Sequence, residues 1–144
     1  MAPLVRFARN NGHRVTAVLS ARSPNLLMSV DEMRRDGATV RTVTDTDADG
    51  TSALANVAAI LEACHAQGQM GALYVCGSNR LMQAAQEIAR RHGLYGEAAL
   101  EQQMACGLGM CFCCVRPFRE GASIVHRRVC SDGPVFPLAD AITW

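Results

Sequence analysis

"ALYVCGSNRLMQAAQEIARRHG", residues 72–93, carries two periodicities separated by a single point of punctuation. The first six residues, "ALYVCG", form a short apolar and aromatic run closed by glycine, the pattern of a buried strand. After Ser78, an N-cap residue type, Leu81, Ala85, Ile88 and Ala89 recur at helical spacing until Gly93, which is placed to stop the helix. A strand that passes directly into an amphipathic helix is half of a βαβ unit.

The same alternation extends upstream. "HRVTAVLSAR" (13–22) predicts a strand between "NNG" and "SPN", and "NLLMSVDEMRRDG" (25–37) predicts a helix ending at Gly37. "TVRTVT" (39–44) predicts a second strand, and Leu54, Val57, Ala58, Leu61 and Cys64 mark one face of the helix after it. Strands alternating with helices demand a parallel sheet covered on both faces, so residues 1–96 are expected to form a doubly wound α/β domain. From Glu97 the periodicity fades into a Gly-, Cys- and Pro-rich segment, expected to be a smaller, loop-rich module over 97–144. A helix over 1–12 starts at Met1, whereas a doubly wound sheet opens with a strand and a glycine-rich turn. The expectation is a domain truncated at its N-terminus, with the first strand missing.

Composition removes several function classes. Fourteen cationic and 13 acidic side chains give a net charge of +1 and are interspersed, so no basic run exists to neutralise a row of phosphates, and no nucleic-acid partner is expected. Every one of the cations is arginine. No stretch reaches the ~18 apolar residues of a membrane span, and the N-terminus lacks the pattern of a secretory signal. A cytoplasmic protein is expected, and in that reducing compartment seven cysteines point to metal binding or redox work before structural disulfides.

Five of the seven lie in "MACGLGMCFCC" (104–114) and at Cys130. Their spacing is Cys106-x4-Cys111-x2-Cys114-x15-Cys130, with Cys113 interposed. Zinc knuckles use paired C-x2–4-C units, whereas a four-residue gap, a two-residue gap and a distant fourth thiolate match the plant-type [2Fe–2S] pattern. Gly107 and Gly109 suit a loop that turns its amides toward sulfur. An iron–sulfur cluster leads; a zinc-stabilised module without redox activity and a cluster of buried thiols are the alternatives. Cys113 reads as a free thiol and Cys64 as a small core residue.

"EQQMACGLGMCFCCV" and "RRVCSDGPVF" resemble the electron-transfer subunit of the two-subunit, NAD-linked dihydroorotate dehydrogenases, within the ferredoxin-reductase-like superfamily. "MAPL" is similar to the end of that superfamily's glycine-rich loop, "ARS" (21–23) to its dinucleotide-contacting turn, "TDTDADGT" (44–51) to its TDDGS-type segment, and "VCGSNRLM" (75–82) to its CGP-x-x-MM signature. The resemblance implies an NAD-binding-like domain and, in such subunits, a flavin-binding β-barrel before it, which this chain is expected to lack. It further implies that FAD exchanges hydride with NAD(H), that a [2Fe–2S] cluster on Cys106, Cys111, Cys114 and Cys130 links FAD to FMN in a catalytic partner, and that Arg22, Cys76, Gly77 and Arg80 contact the nucleotide. On this reading the chain is an accessory subunit of an oxidoreductase in pyrimidine biosynthesis, and turnover of dihydroorotate belongs to the partner. Ferredoxin–NADP transhydrogenases, sulfide dehydrogenases and hydrogenase-linked subunits form a sibling branch in which an aspartate stands at the first loop position; Cys106 stands there here.

Other motifs carry less. Asp45, Asp47, Asp49 and Gly50 spell the start of a calcium loop, but Asn56 stands where the bidentate Glu belongs, so a solvated turn is expected. His13, His65, His92 and His126 are too scattered to complete a ligand set. The tail "GPVFPLADAITW" and the Phe112 side of the cysteine loop read either as a docking surface or as apolar residues folded back on the domain.

Overall fold

The computed structural model describes residues 1–45 and 53–143. Its element order is α1 (Ala2–Asn10), β1 (Thr16–Ala21), a 3-10 turn (Pro24–Leu26), α2 (Val30–Arg35), β2 (Thr39–Thr44), α3 (Ala53–Ala66), β3 (Ala72–Cys76), α4 (Asn79–His92), β4 (Tyr95–Ala99), β5 (Val115–Glu120), β6 (Ser123–Arg128), α5 (Val129–Asp132) and β7 (Val135–Pro137). Asp47, Asp49 and Gly50 of the calcium-like stretch, most of the 44–51 segment, and Trp144 lie outside the described residues.

The chain packs as two units, Met1–Gln69 and Met70–Trp144. In the first, β1 and β2 pair in parallel from Thr16–Thr39 to Ala21–Thr44. Ala2 and Val5 of α1 meet Met33 of α2 in a small core completed by Val15, Ala17, Leu19, Ala38 and Val40. At its margin Arg6 reaches Glu32 at 2.9 Å and Asp36 at 3.2 Å. The single helix expected over 25–37 is interrupted: Leu27 is extended and Ser29 sits at φ 60° before α2 begins. Only Met33 of that segment is buried, so tertiary packing rewards one short helix and leaves Met28 in solvent.

In the second unit β3 pairs in parallel with β4, and β4 pairs antiparallel with β7, giving the order β3-β4-β7. Helix α4 lays Met82, Ala85 and Ile88 against this sheet. It starts where the Ser78 hydroxyl accepts from the Leu81 amide at 3.3 Å and ends at Gly93, φ 62°. Gly96 on β4 admits Leu138, whose Cδ2 lies 2.8 Å from where a Cβ would stand. Strands β5 and β6 form a hairpin that turns at Gly121, φ 60°, and Phe118 of β5 packs on Phe136 of β7 with ring centroids 4.4 Å apart.

The α/β class read from the alternation is the architecture found, with helices packed on parallel strands. Among the described residues those strands form two parallel pairs, one in each unit, instead of one continuous ladder. The module border expected between 96 and 97 falls inside β4, whose residues pair with β3 on one side and β7 on the other, so the cysteine-bearing segment and β3 share a sheet.

Candidate metal centre

The segment from Leu100 to Cys114 joins β4 to β5 and is shaped by three left-handed residues: Gly107 (φ 65°), Gly109 (φ 78°) and Phe112 (φ 58°). Gly109 is buried where the loop doubles back over α5. A Cβ there would stand 2.7 Å from Ser131 Oγ and 3.3 Å from Arg128 Nη1, so glycine is required by space as well as by φ.

This fold gathers the cysteines in two pairs. In the first, the Leu108 amide donates to Cys106 Sγ at 3.4 Å, the amides of Cys111 and Met110 also point at that sulfur, and the Cys111 thiol bonds to it. The Cys111 amide is the strongest influence, and together these donors hold the Cys106 thiol down to about 6, because each favours the charged sulfur. In the second pair, Cys114 and Cys130 share a hydrogen bond with their sulfurs 3.2 Å apart. The Cys130 amide, 3.5 Å from Cys114 Sγ, draws Cys114 below the ordinary thiol range, and sharing with Cys114 pushes Cys130 above it. Cys114 is buried, 2% exposed, on the first residue before β5.

Among the described residues no three His, Cys, Asp or Glu side chains converge on one point. Two sulfur pairs, with backbone amides aimed at sulfur, are a donor set whose chemistry fits an iron–sulfur cluster held by cysteine thiolates. Cys113 is exposed beside the pairs, and Cys64 is half-buried on α3.

The sequence reading missed Arg128. Its guanidinium donates to Asp132 Oδ1 at 2.9 Å and Oδ2 at 3.1 Å, reaches the Gly109 carbonyl at 3.1 Å, and lies 5.8 Å from the centroid of the Phe112 ring. Asp132 also accepts from the Arg128 amide at 2.7 Å, and the Arg128 side chain holds its carboxyl down to about 2. The i,i+4 spacing of Arg128 and Asp132 was the one signal in the sequence.

The nucleotide candidates fall in both units. Arg22 is exposed immediately after β1 in the first unit, while in the second Cys76 ends β3, Gly77 lies in the turn that follows and Arg80 stands in the first turn of α4. Gly77 adopts φ 152°, and a Cβ there would lie 2.9 Å from Leu81 Cδ2. Around the cysteines Leu108 (73% exposed), Met110 (73%) and Phe112 (64%) face solvent, as do Met104 and Val135, whereas Phe136 folds inward against Phe118. No described helix is long and apolar enough to cross a membrane.

Comparison with known proteins finds relatives for the cysteine segment and for the chain around it. Residues 101–141 match the iron–sulfur cluster binding domain of dihydroorotate dehydrogenase B. Over 143 residues, 97% of the chain, it is 30% identical to the electron transfer subunit of dihydroorotate dehydrogenase B (NAD(+)) from Bacillus caldolyticus, covering 52% of that protein. The corresponding subunit of Desulforamulus reducens is 30% identical over 93% of the chain and 50% of its own length. That of Caldanaerobacter subterraneus subsp. tengcongensis is 39% identical over 48% of the chain and 28% of its length. The fold alone is shared with a solved structure of an NADH-dependent reduced ferredoxin-NADP oxidoreductase, at TM-score 0.76 and 23% identity over 99% of this chain and 49% of the other. With its cysteine segment inside the matched domain, the chain is similar to electron transfer subunits of dihydroorotate dehydrogenase B and spans about half the length of the curated relatives it matches.

Proposed function

We propose that this chain is an electron-transfer subunit in which Cys106, Cys111, Cys114 and Cys130 hold a [2Fe–2S] cluster, working between a flavin and NAD(H) site and the FMN of a dihydroorotate dehydrogenase catalytic subunit in the cytoplasm. The observation that carries the reading is the arrangement of those four cysteines as two sulfur pairs within the segment that matches the iron–sulfur domain.

One-electron acceptance and release is the chemistry such a cluster supplies when bound. The chain's own contribution is positional. Cys106 with Cys111, and Cys114 with Cys130, present thiolates two by two, and the amides of Leu108, Met110 and Cys111 offset negative charge at the Cys106 sulfur. Gly107 and Gly109 let the loop make this close turn. Leu108, Met110 and Phe112 offer an exposed apolar rim for a catalytic subunit carrying FMN. We assign nucleotide contact, in the second unit, to Cys76 at the carboxyl end of β3, Gly77 after it and Arg80 in the first turn of α4, and, in the first unit by itself, to Arg22 after β1, because open α/β folds take their ligands at the carboxyl ends of strands.

The test uses the full chain, loaded anaerobically with iron and sulfide, mixed with an FMN-containing dihydroorotate dehydrogenase subunit and given dihydroorotate. Visible absorption is expected to bleach only when both chains are present. A loaded chain that stays oxidised with its cognate partner, or a colourless protein that carries zinc, overturns the proposal.

A further inference from the structure

We infer that Arg128 is a positioning and charge-setting residue of the cluster site, clamping the Gly109 carbonyl and the Phe112 ring on one side to the Asp132 carboxylate on the other while holding a cation beside the Cys114 and Cys130 sulfurs. The inference rests on the [2Fe–2S] reading of those cysteines.

The geometry gives the side chain two separate tasks. Its fork donates Nη1 to the Gly109 carbonyl at 3.1 Å, and Nε and Nη2 to the two oxygens of Asp132 at 3.1 and 2.9 Å. Gly109 lies on the loop between Cys106 and Cys111, and Asp132 closes the helical turn that carries Cys130. One planar group therefore ties the span of the first sulfur pair to the turn of the second. An ammonium, which lacks the planar fork, does not reproduce three donors in that geometry. The Phe112 ring, held outward by its left-handed backbone, lies against the same guanidinium.

The second task is electrostatic. Gly109, whose carbonyl accepts from Arg128 Nη1 at 3.1 Å, turns its amide to the Cys130 sulfur, which brings the cation next to the residue that bonds the second pair. One-electron reduction adds one negative charge at the site. A neighbouring cation favours that state and a neighbouring carboxylate opposes it, so Arg128 and Asp132 act on the potential with opposite sign.

The two tasks separate in mutants of the full chain, purified anaerobically and titrated with dithionite against redox mediators at constant pH. Arg128→Met leaves the Asp132 carboxylate uncompensated, and the equilibrium constant for reduction is expected to fall about tenfold, a midpoint potential lower by about 59 mV. Asp132→Asn leaves the cation uncompensated and is expected to raise the potential. Arg128→Lys keeps the charge without the fork: its potential is expected to stay closer to wild type than that of Arg128→Met, while its absorption decays faster under an iron chelator. Loosening of the site alone has no reason to move the first two variants in opposite directions. A loaded wild-type chain with an unchanged potential in Arg128→Met, or a lowered one in Asp132→Asn, overturns the inference. If Arg128→Met does not load, the sign of the Asp132→Asn shift decides. A wild-type chain that binds no iron and sulfide overturns the underlying reading instead.

Discussion

Cys113 and Cys114 are neighbours in sequence with opposite surroundings. Cys114 is buried, shares a hydrogen bond with Cys130 and receives the Cys130 amide, whereas Cys113 is exposed on the other side of the backbone. Replacement by serine should separate them. Cys106→Ser, Cys111→Ser, Cys114→Ser and Cys130→Ser are each expected to abolish or distort the visible spectrum of the loaded chain, and Cys113→Ser to leave it nearly unchanged. A Cys113→Ser variant that bleaches while Cys114→Ser keeps its colour would reverse the assignment. The cysteine spacing made the ligand candidates legible from sequence because thiols are rare and their gaps are diagnostic. Arg128 was not legible in the same way. Its role depends on a backbone carbonyl and a ring brought to it by the fold, and a backbone carbonyl has no identity in a sequence.

At the level of elements, what could be read was whatever buries a periodic face. Helix α4 was found from Leu81, Ala85 and Ile88, and its caps from Ser78 and Gly93, because local propensity and tertiary packing agree there. Strand β4 was not found: "YGEAA" has no β-branched residue, and it becomes a strand because β3 and β7 flank it and because Gly96 admits Leu138. The β5–β6 hairpin, rich in arginine, hid for a similar reason. A polar residue that no pattern flags also joins α4 to the C-terminal segment. Gln86 Nε2 donates to the Leu138 carbonyl at 2.7 Å and to the Ala141 carbonyl at 2.6 Å. Gln86→Leu keeps the approximate volume and strips both acceptors of their donor, which should cost about 1–3 kcal/mol. Chemical denaturation should show a lower midpoint with an unchanged slope; an unaltered midpoint would show that water replaces the amide at no cost.

For the molecule as a whole, the pairing of β7 with β4 has a consequence for the order of events. Ala99 opposes Val135, so the ladder bond between them draws residues 100–134 into a closed ring, and every proposed ligand lies within that ring. Closing a ring costs chain entropy that grows only slowly with its length, and here the cost falls on protein contacts: strand pairing, the Phe118–Phe136 contact and the burial of Leu138. The last of the four cysteines is also synthesised before the strand that draws the ring shut. Iron delivered to the nascent loop would meet an open chain, whereas iron delivered afterwards meets sulfurs already confined in pairs. A chain lacking residues 135–143 keeps all seven cysteines and is expected to take up iron and sulfide poorly and to lose them rapidly to a chelator, as measured by the decay of visible absorption. Retention equal to that of the full chain would mean that the thiols need no such enclosure. The short edge strand is thus expected to act as a drawstring, confining the sulfurs in pairs so that an arriving metal need not organise the loop.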